Sequence, residues 1–196
     1  MLMRIPVFQM ATPVLLFLCI NANAQLKLPV TNNDLKNNLS KVISDYLEGF
    51  ASLKSDTVVV NPQSIEFTTK LDFPGSEVNS ITEYLSKKPS YSWEAVLLTS
   101  EDFEEASKKY KWLFGQLKLA TVSVQNNSFG LNGEFDVPDE RKKFCSSIFT
   151  LTSSDGNLSK LKVEANMQFE FPQWKVKILV YGREREDNER GDINAY

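Results

Sequence analysis

The chain contains no histidine and only two cysteines, Cys19 and Cys145. Lack of histidine removes the usual general base near neutral pH and the commonest ligand for zinc, copper or haem. Cys19 lies in a leader expected to be cut away, which leaves Cys145 alone and rules out an intramolecular disulfide. An exported domain without such bonds must be stabilised by its core unaided. Cys145 follows Phe144 at the start of an apolar run, and free cysteine is among the most buried residue types, so an inert, buried thiol is expected.

Neither sign of charge predominates, with 22 Lys and Arg against 25 Asp and Glu. The net charge is -3, and the basic groups Lys108, Lys109, Lys111 and Arg141, Lys142, Lys143 sit beside Glu104, Glu105, Asp139 and Glu140. That mixture reads as solvated surface, and no cluster is dense enough for nucleic acid. There is no Walker loop, dinucleotide fingerprint, Gly-x-Ser-x-Gly elbow or paired-cysteine motif. No cofactor and no metal site is expected, and no residue is singled out as catalytic.

Long hydrophobic runs are missing as well. The N-terminal apolar stretch Val14 to Ile20 is far shorter than the about 20 residues of a spanning helix. It follows Arg4 and precedes Ala22 and Ala24, the small-x-small pair of a cleaved secretory signal. Cleavage after Ala24 is expected, giving a signal peptide over 1–24 and a periplasmic or secreted product. The alternative is a lipoprotein through Cys19, but Leu18 before it and Ile20 after it do not suit a lipidated cysteine.

Two amphipathic helices stand out in the remainder. Leu35, Leu39, Val42, Tyr46, Phe50 and Leu53 draw one stripe from Thr31 to Leu53, with Thr31 and Asp34 as a capping pair. Phe103, Ala106, Tyr110, Leu113, Phe114 and Leu117 draw another from Glu101 to Lys118, capped by Ser100. A shorter helix is expected over Glu77 to Lys87, before Pro89. Elsewhere the period is two. Ile65, Phe67, Leu71 and Phe73 share a face, and so do Leu161, Val163, Ala165, Met167, Phe169 and Phe171, opposite Lys162, Glu164, Asn166, Gln168 and Glu170. Trp174, Val176, Ile178 and Val180 resume the alternation after Pro172. Such strands have one dry and one wet side, the pattern of an antiparallel sheet covered on one face, and the last pair reads as a hairpin.

A repeat links the two halves. Aligning "TVVVNPQSIEFTTKLDFP" at 57–74 with "TVSVQNNSFGLNGEFDVP" at 121–138 matches Thr57/Thr121, Val58/Val122, Val60/Val124, Ser64/Ser128, Asp72/Asp136 and Pro74/Pro138. The offset extends to Tyr46/Tyr110, Phe50/Phe114, Leu53/Leu117 and Lys54/Lys118, and 95–102 resembles 148–155. The expected architecture is α+β: tandem helix-strand-strand-strand units over about 31–100 and 101–156, then a hairpin over 158–181. Together they form an antiparallel sheet of about seven or eight strands with both long helices on one face. One domain spans 25–182, and the charged segment 183–196 is expected to be a disordered tail.

Each motif of chemical interest has a plain structural reading. Arg190, Gly191 and Asp192 form an adhesion tripeptide in a charged tail where coincidence is easy. Asp187, Asn188 and Asp192 lack the glycine and glutamate spacing of a calcium loop. Ser159 and Lys162 have Ser-x-x-Lys spacing, yet they open an alternating strand where residues three apart face opposite ways. Asp72 and Asp136 could be paired acids, but Asp-x-Pro at a strand end is a turn former. Asn38, Asn126 and Asn157 begin sequons that matter only in a glycosylating host. Trp93, Trp112 and Trp174 are the aromatics of interest; Trp112 lies off its helix stripe, as a contact residue or as the flank of a wide stripe. The resulting expectation is an exported, non-catalytic binding module for a protein partner or an apolar small ligand. The alternative is a histidine-free hydrolase using carboxylates, serine or lysine.

Overall fold

The computed structural model describes residues 32–182 apart from 88, 154 and 155. The expected signal segment, Thr31 and the expected tail with Asp187 to Asp192 lie outside the described residues. Among those described, no helix is long and apolar enough to cross a membrane.

The element order is α1 (Asn32–Tyr46), β1 (Lys54–Val60), β2 (Ser64–Thr69), β3 (Val78–Tyr84), β4 (Ser90–Ser100), α2 (Phe103–Lys118), β5 (Thr121–Val124), β6 (Asn127–Gly133), β7 (Phe144–Leu151), β8 (Leu161–Glu170) and β9 (Gln173–Gly182). The strands make one antiparallel sheet in the order β1-β2-β3-β4-β9-β8-β7-β6-β5. The α+β class holds, with nine strands in place of seven or eight. The β8–β9 hairpin forms as the alternation predicts, with Glu170 opposite Gln173 at its tip.

The sheet's dry face can be followed as a row of paired residues. Phe67 sits opposite Ile81, Ile81 opposite Trp93, Trp93 opposite Val180, Val180 opposite Val163, and Val163 opposite Phe149. Ile81, Trp93, Val180, Val163 and Phe149 are fully buried. The stripe Leu35, Leu39, Val42 and Ile43 of α1 and the stripe Ala106, Tyr110, Leu113 and Leu117 of α2 join the same core. Each large apolar side chain so buried contributes about 1.5–3 kcal/mol. Helix α1 packs chiefly on β5, whereas α2 crosses β4, β9, β8 and β6. Ser40 on α1 also takes the outer amide of β5, Ser123 N–H donating to its Oγ at 3.0 Å, so this sheet edge is covered.

Three local expectations need correction. Helix α1 ends at Tyr46, seven residues before Leu53. Gly49 and Phe50 take φ of 63° and 58°, and the Asp45 carboxylate accepts from Ser52 Oγ at 2.5 Å and from Leu53 N–H at 3.0 Å. This turn buries Phe50 completely, so the stripe's last apolar residues reach the core without helix. Within Glu77 to Lys87 no helix forms; Val78–Tyr84 is strand β3. Its single turn of periodicity is outweighed by ladders to β2 and β4 on both sides. At α2 the cap is Asp102, whose Oδ1 accepts from Glu104 N–H at 2.8 Å. Ser100 stands outside, accepting from Asp102 N–H and donating to Glu105.

The aligned halves do not adopt matching elements throughout. Phe50 and Leu53 lie in a turn, but their counterparts Phe114 and Leu117 are helical. The segment 95–102 falls mostly in β4, after an additional strand β3, whereas 148–151 belongs to β7, which follows β6 directly.

Candidate functional site

Opposite the helices lies the second face of the sheet, called the open face below, whose residues range from buried to exposed. Its residues are the wet positions of the alternation: Glu94 and Val96 on β4, Lys175, Lys177, Leu179 and Tyr181 on β9, Lys162, Glu164, Asn166, Gln168 and Glu170 on β8, and Ser146 and Ile148 on β7. Glu94, Leu179, Glu164 and Ile148 form one row straight across four strands.

The polar groups of this face hold one another. Glu164 accepts from Ser146 Oγ at 2.7 Å, Asn166 Nδ2 at 3.1 Å and Tyr181 Oη at 2.7 Å, joining β7, β8 and β9. Lys177 bridges Glu94 at 3.4 Å and Glu170 at 3.0 Å, and Glu170 also binds Lys175 and Gln168. On this face Leu179, Tyr181 and Asn166 are nearly solvent-free although they point away from the helices. Asn166 Oδ1 is buried with no hydrogen-bond partner among the described residues. At the margins Phe144 is 51% exposed, Ile148 39% and Phe171 89%.

Hydrogen bonding by Lys175, with help from Lys177 and Gln168, outweighs burial and holds the Glu170 carboxyl down at about 2. Its folded value lies below the 4.5 of an ordinary glutamate, so the unfolded chain binds the proton more readily. Glu170 therefore contributes stability above pH 4.5, and that contribution is lost as pH falls through about 2. Glu170→Gln is expected to flatten the acid limb of the stability profile in this window; an unchanged profile in urea titrations would show the pairing to be thermodynamically silent.

A buried polar node ties α2 to β7. Tyr110 Oη and Ser147 Oγ are 2.7 Å apart, and Ser147 Oγ accepts from Asp136 N–H at 3.0 Å. Asp136 Oδ2 accepts from Ser146 N–H at 3.1 Å, anchoring the segment that follows β6. Burial pushes the Tyr110 hydroxyl well above its ordinary range. Cys145 beside it is fully buried, and desolvation raises its thiol to about 11. The thiolate that reacts is therefore both scarce and enclosed. Maleimide at mildly alkaline pH is expected to leave native Cys145 unmodified and to label it fully in denaturant; rapid native labelling, read by intact mass, would contradict this.

The remaining residues named from sequence do not converge. Asp72 follows β2 and Asp136 follows β6, six strand spacings apart, or roughly 29 Å along the sheet, far beyond an acid pair's reach. Ser159 donates to Gly156 O at 3.0 Å within a 3₁₀ turn, not toward Lys162. Trp112 is half-buried against the core with Lys109 Nζ 4.5 Å from its ring centre, the flank of a wide stripe. Trp93 and Trp174 are buried. Asn38 Nδ2 donates to Asp34 O within α1, and Asn126 and Asn157 are exposed near turns. Asp139 is held at about 2 by its side-chain bonds to Arg141 on the surface. No three potential metal ligands group together among the described residues.

Sequence reading named the wet side of β8 but missed the polar networks themselves. The alternation shows that Glu164 and Glu170 share a face; it does not show that Tyr181, Lys177 and Ser146 stand beside them. Compared with protein-family models, with curated proteins and with solved structures, the chain matches none of them.

Proposed function

We propose that the chain is an exported, non-catalytic binding module that docks a protein partner on the open face of its sheet. The carrying observation is a pair of polar networks, Glu94–Lys177–Glu170 and Ser146–Glu164–Tyr181, flanked by exposed Phe144 and Ile148. Side chains already held by one another lose little freedom on binding, and apolar groups beside them supply contact area. Breadth favours a macromolecule over a small molecule, and near-balanced charge disfavours nucleic acid. Export by a signal peptide cut after Ala24, and descent from a tandem duplication, belong to this proposal. The shifted groups near β7 fit structural roles, so nothing favours the hydrolase.

The test places a photo-cross-linking amino acid at Val96 or Ile148 on the open face and at Lys111 on the exposed side of α2. In the producing cells, a discrete adduct from the first two positions and none from the third is expected. Adducts only from Lys111, or from no position, would refute the open-face role.

A further inference from the structure

We propose that the hollow at the β6–β7 corner of the open face seats an extended segment of the partner protein carrying a lysine or arginine, an inference that rests on the open-face role. The hollow has a volume of about 610 Å³, and its lining includes Ser146, Ile148 and Thr150, successive wet-side residues of β7. That row covers about 13 Å of strand, so the space runs along β7 and matches a short stretch of extended chain.

The hollow exists because β6 leaves the ladder early. Gly133, opposite Phe149, is the last β6 residue paired with β7. Glu134, Phe135 and Asp136 then diverge to form the second wall. Phe135 is anchored from beneath by the rings of Phe114 at 4.8 Å and Tyr110 at 5.7 Å, so this wall is braced by α2. Asp136 is braced by its bonds to Ser146 N–H and Ser147 Oγ. The site is thus built before any partner arrives.

Charge selects the occupant. The lining holds two carboxylates, Glu134 and Asp136, and no cation. Glu134 is exposed and has no ion pair or hydrogen bond among the described residues. The basic run just beyond begins with Arg141, whose guanidinium is already bonded to Asp139 at 2.9 Å. An ammonium or guanidinium entering here meets the Glu134 carboxylate, which has no ion pair among the described residues, and displaces no cation from the lining. Ile148, 39% exposed, and Phe135, 37% exposed, offer apolar surface to the stem of that side chain and to its neighbours.

The probe is the capped peptide Ser-Val-Lys-Val-Arg-Val-Ser, with Ser-Val-Glu-Val-Glu-Val-Ser as its acidic counterpart. Amide chemical-shift mapping on the full mature chain is expected to show changes at Asn132, Glu134, Ser146 and Ile148 with the basic peptide and none with the acidic one. Fluorescence anisotropy is expected to show that Glu134→Lys weakens the basic peptide by about tenfold and that added salt weakens it further. The inference is overturned if the two peptides act alike, if the basic one shifts no residue of the hollow, or if Glu134→Lys leaves the affinity unchanged. Shifts confined to Glu164, Lys177 and Tyr181 would overturn the hollow and leave the open-face role standing. Cross-linking from Val96 and Ile148 tests that role independently.

Discussion

Trp93→Ala is expected to lower the stability of the domain by about 3–5 kcal/mol in urea unfolding followed by circular dichroism. Trp93 is fully buried on β4, between Ile81 and Val180, with its ring 5.1 Å from Phe73. Strand β4 joins the β1–β3 side of the sheet to β9, so the void would open where the two parts of the sheet meet. Ladders on both sides limit how far the site can collapse. Trp93 Nε1 has no hydrogen-bond partner among the described residues, so Trp93→Phe removes an unsatisfied donor while keeping an aromatic ring. It should cost clearly less than the alanine change. A loss below about 1 kcal/mol for Trp93→Ala would show that this row is not the centre of the core.

Gly133→Ala is expected to cost about 1–3 kcal/mol and to loosen the β6–β7 ladder specifically. A Cβ at this position would stand 2.7 Å from Ile148 O and 2.7 Å from Phe149 Cδ1. The first is backbone, and the second belongs to a buried ring 5.3 Å from Phe114, so neither can yield cheaply. Relief requires β6 to move off β7, which would also reshape the hollow that Glu134 and Asp136 border. Gly130, in the same strand, has nothing within 4 Å of an added Cβ, and Gly130→Ala is the matched control. Hydrogen exchange should quicken around Asn132 and Thr150 in the first variant only. Equal stability of the two variants would contradict the close packing at Gly133.

How much was legible follows from the range of each signal. The α2 stripe from Phe103 to Leu117 needs only its own residues, and it is found almost as read. The α1 stripe misleads at its end because a turn at Gly49 and Phe50 places Phe50 in the same core that a longer helix would have reached. Strand β3 is misread because Val78 to Tyr84 is short and its pairing partners, Phe67 and Trp93, lie elsewhere in the chain. The aligned segments 57–74 and 121–138 share residues and share a pair of strands, yet β3 has no counterpart between β6 and β7.

By itself, the sequence determined the two amphipathic helices, the strict alternation of β8 and β9, and the hairpin between them. These follow from side-chain periods of 3.6 and 2.0, which involve no distant partner. Only the tertiary structure decided that β9 inserts between β4 and β8, that α1 covers the edge of β5, and that Glu164 meets Ser146 and Tyr181 on an open face. Those outcomes depend on strand order and register, set by the burial of apolar surface contributed by residues far apart in the chain. Local periodicity marks a side chain as dry or wet, and only the packed sheet says what stands next to it.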